Sequence, residues 1–552
     1  MIIAERKERQ VSILEAAENN QEFLRSIFMG CSNGTGHSKL QKYIEQVLFE
    51  TPSFLKHHVG FGKGSVKELS GKFTNTLIRR QSEKNSNEVI IDLINNIVPY
   101  AVNVASPYFV GHMTSAIPPF MIQLKAIAAA LNQNVVKLET SGVVSLVEKQ
   151  VLAKIHRLIY RRTQDFYDHH VQNQDTTLGC FTEGGTVANI TALWAARDAL
   201  LAPRDGFGGV EKEGVEAGYR AYGIDRCIVL VSRLGHYSLR KAGGILGIGS
   251  ENIIPVEVDE NSRINIHSLA KKIEEIKSES SRNRLLAIVG IGGTTETGTI
   301  DPLKEMGEIC AENGVHFHVD AAWGGPALLS EKYSYLLEGI DLADSVTIDG
   351  HKQFYMPMSS GMVYFKDPYI MNNVSYRANY IIRDGSGDLG IRSASGSREA
   401  NSLILHSALR IMGARGYGLL VEHGIETARQ LAEEIMRRPD FHLVTPPELN
   451  ILTYQIYPEH YGRILEDSPD KEEIIYQNIN EINRTIQRQQ RECGIGFVSR
   501  TVLVNKNAPY REKVVLRIVI ANPMTNMDIL KEVIDEQEQI YKSILPGYEL
   551  NL

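Results

Sequence analysis

The 552-residue sequence predicts an α/β protein whose large domain holds a mainly parallel sheet, and three observations support this prediction. Short apolar runs rich in β-branched residues alternate with amphipathic segments through the middle of the chain. These runs are apolar throughout, which is typical of strands covered by helices on both faces of a sheet. The regions on either side have apolar residues at helical spacing, which indicates further parts at both ends.

The length and the changes of pattern predict a chain of three parts, because a single core rarely accommodates so many residues. Residues 1–110 are mostly polar and are predicted to form a helical N-terminal segment. Residues 111–400 carry the alternating strands and helices of the large domain. In residues 401–552, a long helical pattern is followed by strand-like runs around a charged helix, which predicts a small α+β domain.

Composition and charge narrow the functional classes. The formal net charge is −7, and no dense run of Lys and Arg is present, so binding of nucleic acid through a basic face is not expected. No apolar run reaches the length of a membrane span, and the charged start does not resemble a signal peptide. Five scattered cysteines without a CxxC pair favour a reducing compartment, and we expect a cytoplasmic protein.

The candidate site comes from the residues that follow each predicted strand. Parallel sheets bind ligands at the carboxyl ends of their strands, so these residues should meet at one edge. In chain order, the predicted strands are LGCF, RCIVLVS, IIPVEV, RLLAIVGIGG, VHFHVDA and ADSVTID.

The first three candidate positions follow separate strands. Gly184 and Gly185 precede a predicted helix, where close backbone approach and the helix N-terminus could hold a phosphate. An ordinary tight turn explains this pair equally well, and no P-loop lysine follows it. His236 follows the second strand and Thr295 lies in a hydroxyl-rich loop after RLLAIVGIGG. A structural histidine and an ordinary strand-to-helix turn are the alternatives for these two residues.

The strand VHFHVDA allows three interpretations. His316, His318 and Asp320 alternate along it and would share one face, which could form a metal site. Asp320 could instead be a buried negative charge beside a bound base, in which case it needs a donor or cationic partner. It could also cap a helix.

Lys352 follows the last predicted strand, between two apolar stretches. A neutral amine there could attack a carbonyl group, although a surface lysine after a turn is the ordinary alternative. Taken together, these residues at successive strand ends indicate a function more specifically than any one of them does alone. Pyridoxal 5′-phosphate (PLP) needs donors for its phosphate, a flat side chain against its ring, a carboxylate at its ring nitrogen and a lysine for its aldehyde.

The motifs that carry these residues resemble those of the group II PLP-dependent decarboxylases, which include the glutamate and aromatic amino-acid decarboxylases. HVDAAWGGP and SVTIDGHKQ are similar to the family's Asp and Lys signatures, and HYSLRKAGG to its ring-stacking segment. The resemblance extends from about Pro107 onward and is greatest to the bacterial pyridoxal-dependent aspartate 1-decarboxylases. It implies the PLP-dependent transferase-like fold, called fold type I, for the large domain.

The resemblance also implies roles for individual residues. Lys352 would bind the PLP aldehyde covalently, Asp320 would pair with the ring nitrogen, and His236 would stack on the ring. The remaining cofactor contacts would be Gly184, Gly185, Thr186 and His351 around the phosphate, and Thr295 and Ala322 along the cofactor.

Three further residues are implied near the substrate. Tyr380 would donate a proton from a mobile loop, and His112 and Arg398 would lie in segments that reach the substrate pocket. The sequence departs from the family pattern in the SASGSRE segment around Arg398, and at two other positions. Glu183 precedes the glycine pair, where a carboxylate would repel a phosphate unless it pointed away. Gly350 stands where the family usually has Ala or Pro.

The implied reaction is α-decarboxylation of L-aspartate to β-alanine and carbon dioxide. L-Glutamate or another amino acid is the alternative substrate, and a PLP-binding homologue without catalysis is a third possibility. No metal, nucleic acid or membrane partner is expected. The family is usually dimeric, so the resemblance implies a homodimer with its active site at the subunit interface and the N-terminal segment wrapped over the partner.

Overall fold

The computed structural model describes residues 66–80, 86–377, 386–504 and 512–549. Contacts divide the chain into two compact units. The large unit contains Ile117–His423 and Pro447–Leu449, and the small unit contains the described parts of 1–116, Gly424–Pro446 and the described part of 450–552. The three-part division expected from the sequence stays a prediction.

The large unit is built on a seven-stranded sheet with strand order β1-β7-β6-β5-β4-β2-β3. Only β7 runs antiparallel to its neighbours, and the other adjacent pairs are parallel, so the predicted mainly parallel sheet is confirmed. The strands are β1 Gly179–Thr182, β2 Arg226–Ser232, β3 Ile253–Val256, β4 Asn283–Ile291, β5 His316–Asp320, β6 Ser345–Asp349 and β7 Gly361–Phe365.

The placement of β7 brings distant parts of the chain together. This strand follows the turn that carries Lys352 and inserts between β1 and β6. Its first residue, Gly361, is paired with Thr182 at the end of β1 and with Asp349 at the end of β6. The glycine pair after β1 and the lysine after β6 therefore lie at the same edge of the sheet.

Helices cover the sheet and fill the small unit. The described helices, in chain order, are α1 Val66–Ser70, α2 Ser86–Asn96, α3 Pro119–Leu131, α4 Leu138–Ser141, α5 Val143–Tyr160, α6 Gln164–His170, α7 Gly185–Leu200, α8 Val210–Tyr222, α9 Ser238–Ile245, α10 Ile266–Glu279, α11 Leu303–Asn313, α12 Asn401–Met436, α13 Glu459–Asp467, α14 Glu472–Cys493 and α15 Met527–Glu549. In the large unit, α7 packs against β1, β6 and β7, and its apolar side joins the core of the sheet. Within the described ranges, no helix is both long enough and apolar enough to cross a membrane.

The small unit contains a four-stranded antiparallel sheet with the order β10-β11-β9-β8. Its strands are β8 Phe441–Thr445, β9 Ile451–Ile456, β10 Ser499–Val504 and β11 Glu512–Val519. Helix α14 places Ile475, Ile479, Ile482 and Ile486 in the core of this unit, and their spacing of three and four residues puts them on one helical face. The predicted small α+β part is confirmed.

Candidate active site

The predicted strand ends meet around one cavity of about 300 Å³ in the large unit. This arrangement follows from the sheet order, because the carboxyl ends of β1, β2, β4, β5 and β6 share one edge. The lining includes every cofactor contact expected from the sequence, namely Gly184, Gly185, Thr186, His236, Thr295, Asp320, Ala322, His351 and Lys352. The structure shows these residues to be neighbours, and their individual roles stay predictions.

The glycine pair forms a tight connection between β1 and α7. Gly184 has a φ of +149°, a conformation that side chains disfavour, and α7 begins at Gly185. A Cβ atom on Gly361 would lie 2.5 Å from the Gly184 Cα, so glycine is also needed on the neighbouring strand. The N–H groups of the first helical turn lack partners within the helix, and the helix dipole favours an anion there.

Glu183, the carboxylate that departs from the family pattern, has a partner in the structure. Its Oε1 atom accepts a hydrogen bond from the Ser395 hydroxyl at 2.6 Å. The side chain is exposed, so its charge is largely hydrated. The anion-binding geometry of the glycine pair is therefore compatible with a carboxylate at this position.

Asp320 is held at the end of β5 by two hydrogen-bond donors. It is 6% exposed, its Oδ1 accepts from the Ala322 N–H at 3.1 Å, and its Oδ2 accepts from Asn189 Nδ2 at 2.8 Å. Hydrogen bonds of this kind offset the cost of burying a carboxylate. Asn189 lies one helical turn after Gly185, and the only sequence signal for it is a polar residue within the apolar ANITALW segment.

Asn189 is itself fixed by His318, which bridges α7 and the neighbouring strand β6. His318 Nε2 lies 3.0 Å from Asn189 Oδ1, and His318 Nδ1 lies 2.9 Å from the Ser345 hydroxyl. Since the Asn189 carbonyl oxygen only accepts, Nε2 carries the proton and Nδ1 accepts from Ser345. Burial lowers the pKa of His318 to about 4, which keeps the ring neutral.

These contacts argue against the metal interpretation of VHFHVDA. Both ring nitrogens of His318 are engaged in hydrogen bonds, and His316 bonds the same Ser345 hydroxyl at 2.8 Å. In the part of the chain that the structure describes, no group of three His, Cys, Asp or Glu side chains could hold a metal ion. The histidines orient the amide that supports Asp320.

Because of His318, the free energy of unfolding should decrease as the pH falls. An unfolded histidine titrates near pH 6.5, whereas His318 titrates at about 4 in the native state, so the unfolded chain binds a proton first. The stabilisation is complete above about pH 6.5 and is lost as the pH falls through about 4. In urea unfolding, the stability advantage of the native protein over the His318→Gln variant should shrink by about 2 kcal/mol between about pH 6.5 and 5. An advantage that stays constant over this range would contradict the assignment.

His236 and Thr295 occupy two other strand ends. His236 Nδ1 lies 2.8 Å from the Ser238 hydroxyl, which accepts from Asn189 Nδ2 at 3.0 Å, so the same amide orients this ring. Burial lowers the pKa of His236, and the nearby Asp320 opposes this effect. Around Thr295, the neighbouring Thr294 and Thr297 hydroxyls bond each other at 2.6 Å, which rigidifies the loop beside the cavity.

The turn that carries Lys352 explains why this lysine is tolerated between apolar stretches. Its side chain is 19% exposed, and its Nζ lies 3.1 Å from Asp349 Oδ2. A Cβ atom on Gly350 would lie 2.6 Å from Met356 Sδ and 2.7 Å from Ser360 Oγ. This crowding favours glycine at the position that departs from the family pattern.

A second contact connects the Asp320 and Lys352 turns. Gln353, which follows Lys352, is buried, and its Nε2 donates to the Trp323 carbonyl at 2.8 Å. Trp323 is itself fully buried and lines the same cavity as Asp320. The two turns therefore hold a fixed spacing across the cavity.

The three residues predicted near the substrate are Arg398, His112 and Tyr380. The Arg398 guanidinium makes a bidentate pair with Glu148, with one N–O distance of 3.0 Å, beside a separate cavity of about 40 Å³. His112 belongs to the small unit, and Tyr380 lies outside the described residues. The sequence offered no signal for the Glu148 partner, which lies 250 residues from Arg398. The substrate roles of these three residues stay predictions.

A mainly parallel sheet with a lysine, a supported carboxylate and a helix N-terminus at one edge is the arrangement of an enzyme that uses PLP. Residues 74–457 match the family model described as the pyridoxal-dependent decarboxylase conserved domain. The chain belongs to this family, so it is a PLP-dependent carboxy-lyase.

Similarity to individual proteins is consistent with this assignment. The chain is 43% identical over 505 residues to the aspartate 1-decarboxylase of Aliivibrio fischeri, covering 91% of each chain. It is 30% identical over 389 residues to an acidic amino acid decarboxylase of Bos taurus, covering 69% of each. The crystal structure of mouse CSAD in its apo form aligns with a TM-score of 0.76 at 24% identity, over 91% of this chain and 98% of that one. This last comparison supports the fold alone, and it confirms the fold class expected from the sequence.

Proposed function

We propose that this protein decarboxylates L-aspartate at the α-carbon and releases β-alanine and carbon dioxide. The observation that supports this substrate is the 43% identity, over 91% of both chains, to an aspartate 1-decarboxylase. The reaction class follows from the family, whereas the choice of amino acid is a proposal.

The residues around the cavity fit PLP. The cavity of about 300 Å³ is of the size that small cofactors occupy. The first turn of α7, at Gly184, Gly185 and Thr186, would hold the phosphate together with His351. Lys352 would bind the aldehyde and Asp320 the ring nitrogen. When bound, the cofactor accepts the electron pair that remains when the carboxylate leaves.

The residues around the cavity would set the protonation state of the bound cofactor and the orientation of the side chains beside it. Asp320, held as an acceptor by Asn189 and the Ala322 N–H, would favour a proton on the ring nitrogen of the bound cofactor. His236 is oriented through Ser238 and presents a neutral ring to the cavity. We assign the return of a proton to the α-carbon to Tyr380, which lies outside the described residues.

We also propose that the protein is a cytoplasmic homodimer whose active site lies at the subunit interface. Support for a dimer comes from large apolar side chains that are exposed in the described part of residues 1–110. Phe73 is 66% exposed, Leu77 80% and Ile78 99%, and apolar surface of this kind favours association with another chain. Light scattering of the purified protein should give about twice the 61.6 kDa chain mass.

Analysis of the reaction products tests directly whether L-aspartate is the substrate. The purified enzyme with PLP should convert aspartate to β-alanine with a kcat/KM at least about tenfold above that for glutamate, because one methylene changes the fit of a small pocket by this order. Both amino acids, and an aromatic amino acid, should be assayed side by side for carbon dioxide and amine. A preference for glutamate would contradict the proposed substrate, and a lack of turnover on all three would contradict catalysis itself.

A further inference from the structure

Asp349 is a buried carboxylate that the reaction described above does not use. It ends β6, is 2% exposed, and lines the cavity beside Lys352. Its Oδ2 atom lies 3.1 Å from Lys352 Nζ and 3.7 Å from His351 Nε2. Its Oδ1 atom is buried and makes no hydrogen bond within the described chain.

The surrounding backbone packs closely around this carboxylate. The Asp349 N–H donates to the Ala322 carbonyl at 3.2 Å. Cβ atoms on Gly185 and Gly361 would lie 2.9 Å and 2.8 Å from its carboxylate oxygens, so two glycines make room for it. The carboxylate is thereby enclosed between the helix N-terminus and the Lys352 turn.

A carboxylate in this position needs a compensating charge. Burial of an unpaired anion is costly, and a cation at hydrogen-bond distance offsets much of that cost. The titratable groups that face Asp349 are Lys352, His351 and, at longer range, His236. Of these, the Lys352 amine is the nearest and forms the one contact of hydrogen-bond length.

We propose that Asp349 is a positioning residue for Lys352. It holds the amine inside the cavity through this contact whenever that amine is not bonded to the cofactor. The free amine therefore remains at the site during the part of the cycle in which substrate occupies the cofactor. This inference rests on the proposed role of Lys352 as the cofactor attachment residue.

The reactivity of Lys352 in the cofactor-free protein tests the inference without any measurement of activity. A trace amount of acetic anhydride at about pH 7 labels only neutral amines, and mass spectrometry of the Lys352 peptide gives the rate. Asp349→Asn should raise this rate several-fold, because the amine loses the charged partner that holds it in place and becomes more accessible to the reagent. Asp349→Ala, which removes the side chain without adding bulk, should have the same effect.

Glu183→Gln is the matched control, because it removes another cavity carboxylate that contacts Ser395 instead of the lysine. Its labelling rate should stay within about twofold of the native rate. Native rates in both Asp349 variants would overturn the inference. Borohydride reduction of the native holoenzyme separates this failure from that of the proposed site, because a label on a residue other than Lys352 contradicts the attachment assignment itself.

Discussion

Lys352→Ala is expected to lower kcat by at least about a thousandfold and to abolish covalent attachment of PLP. Alanine retains the backbone of the turn but removes the only amine that lines the cavity in the described chain. PLP can still occupy the phosphate-binding end, so the loss should appear in kcat and in the covalent label more than in cofactor content. Borohydride reduction followed by intact mass measures the label, and product formation from aspartate measures kcat.

A lysine outside the cavity provides the control for this change. Lys304 is exposed and pairs with Glu338 on the surface of the same unit. Lys304→Ala should keep both the covalent label and the native kcat, since exposed ion pairs contribute little. Retention of the label by Lys352→Ala would show that another amine holds the cofactor.

Asp320→Asn is expected to reduce kcat by about a hundredfold to ten-thousandfold while the protein remains folded. The amide has nearly the same shape, but its single oxygen can accept from only one of the two donors, Asn189 Nδ2 or the Ala322 N–H, and it carries no charge. Without that charge, the ring nitrogen loses its proton more easily, and the cofactor becomes a weaker acceptor of electrons. Steady-state kinetics with saturating PLP separates this effect from weaker cofactor binding.

The corresponding change at the exposed Asp367, whose Oδ1 accepts from the Tyr369 N–H, gives the comparison. Asp367→Asn preserves that acceptor and should leave kcat within about twofold of the native value. A kcat for Asp320→Asn that stays within about tenfold of native would exclude a dominant role for the charge.

The strand ends were predictable because each depends on local sequence. The apolar runs that become β1, β2, β4, β5 and β6 stop at polar residues, and parallel pairing then brings those residues to one edge. The position of β7 was not predictable in this way. It is reached by a turn and inserts between β1 and β6, and this pairing joins residues far apart in the chain.

The supporting contacts were also beyond sequence reasoning. Asn189 and Asp320 are separated by 131 residues, and no spacing rule connects an amide on a helix with a carboxylate on a strand. The pairing of Asp349 with Lys352 is local, at three residues, but the pattern Asp-Gly-His-Lys also suits an exposed turn. Gly350 departs from the family pattern, and only the positions of Met356 and Ser360 show why a small residue is favoured there.

The bond from Gln353 to the Trp323 carbonyl has a consequence for engineering. It ties two loops into a rigid frame, so a substitution in either loop would disturb the other as well. Attempts to broaden the range of accepted amino acids should therefore leave this frame intact and concentrate on residues outside these two loops. Libraries of variants designed in this way would retain the decarboxylation reaction while varying the amino acid that is accepted.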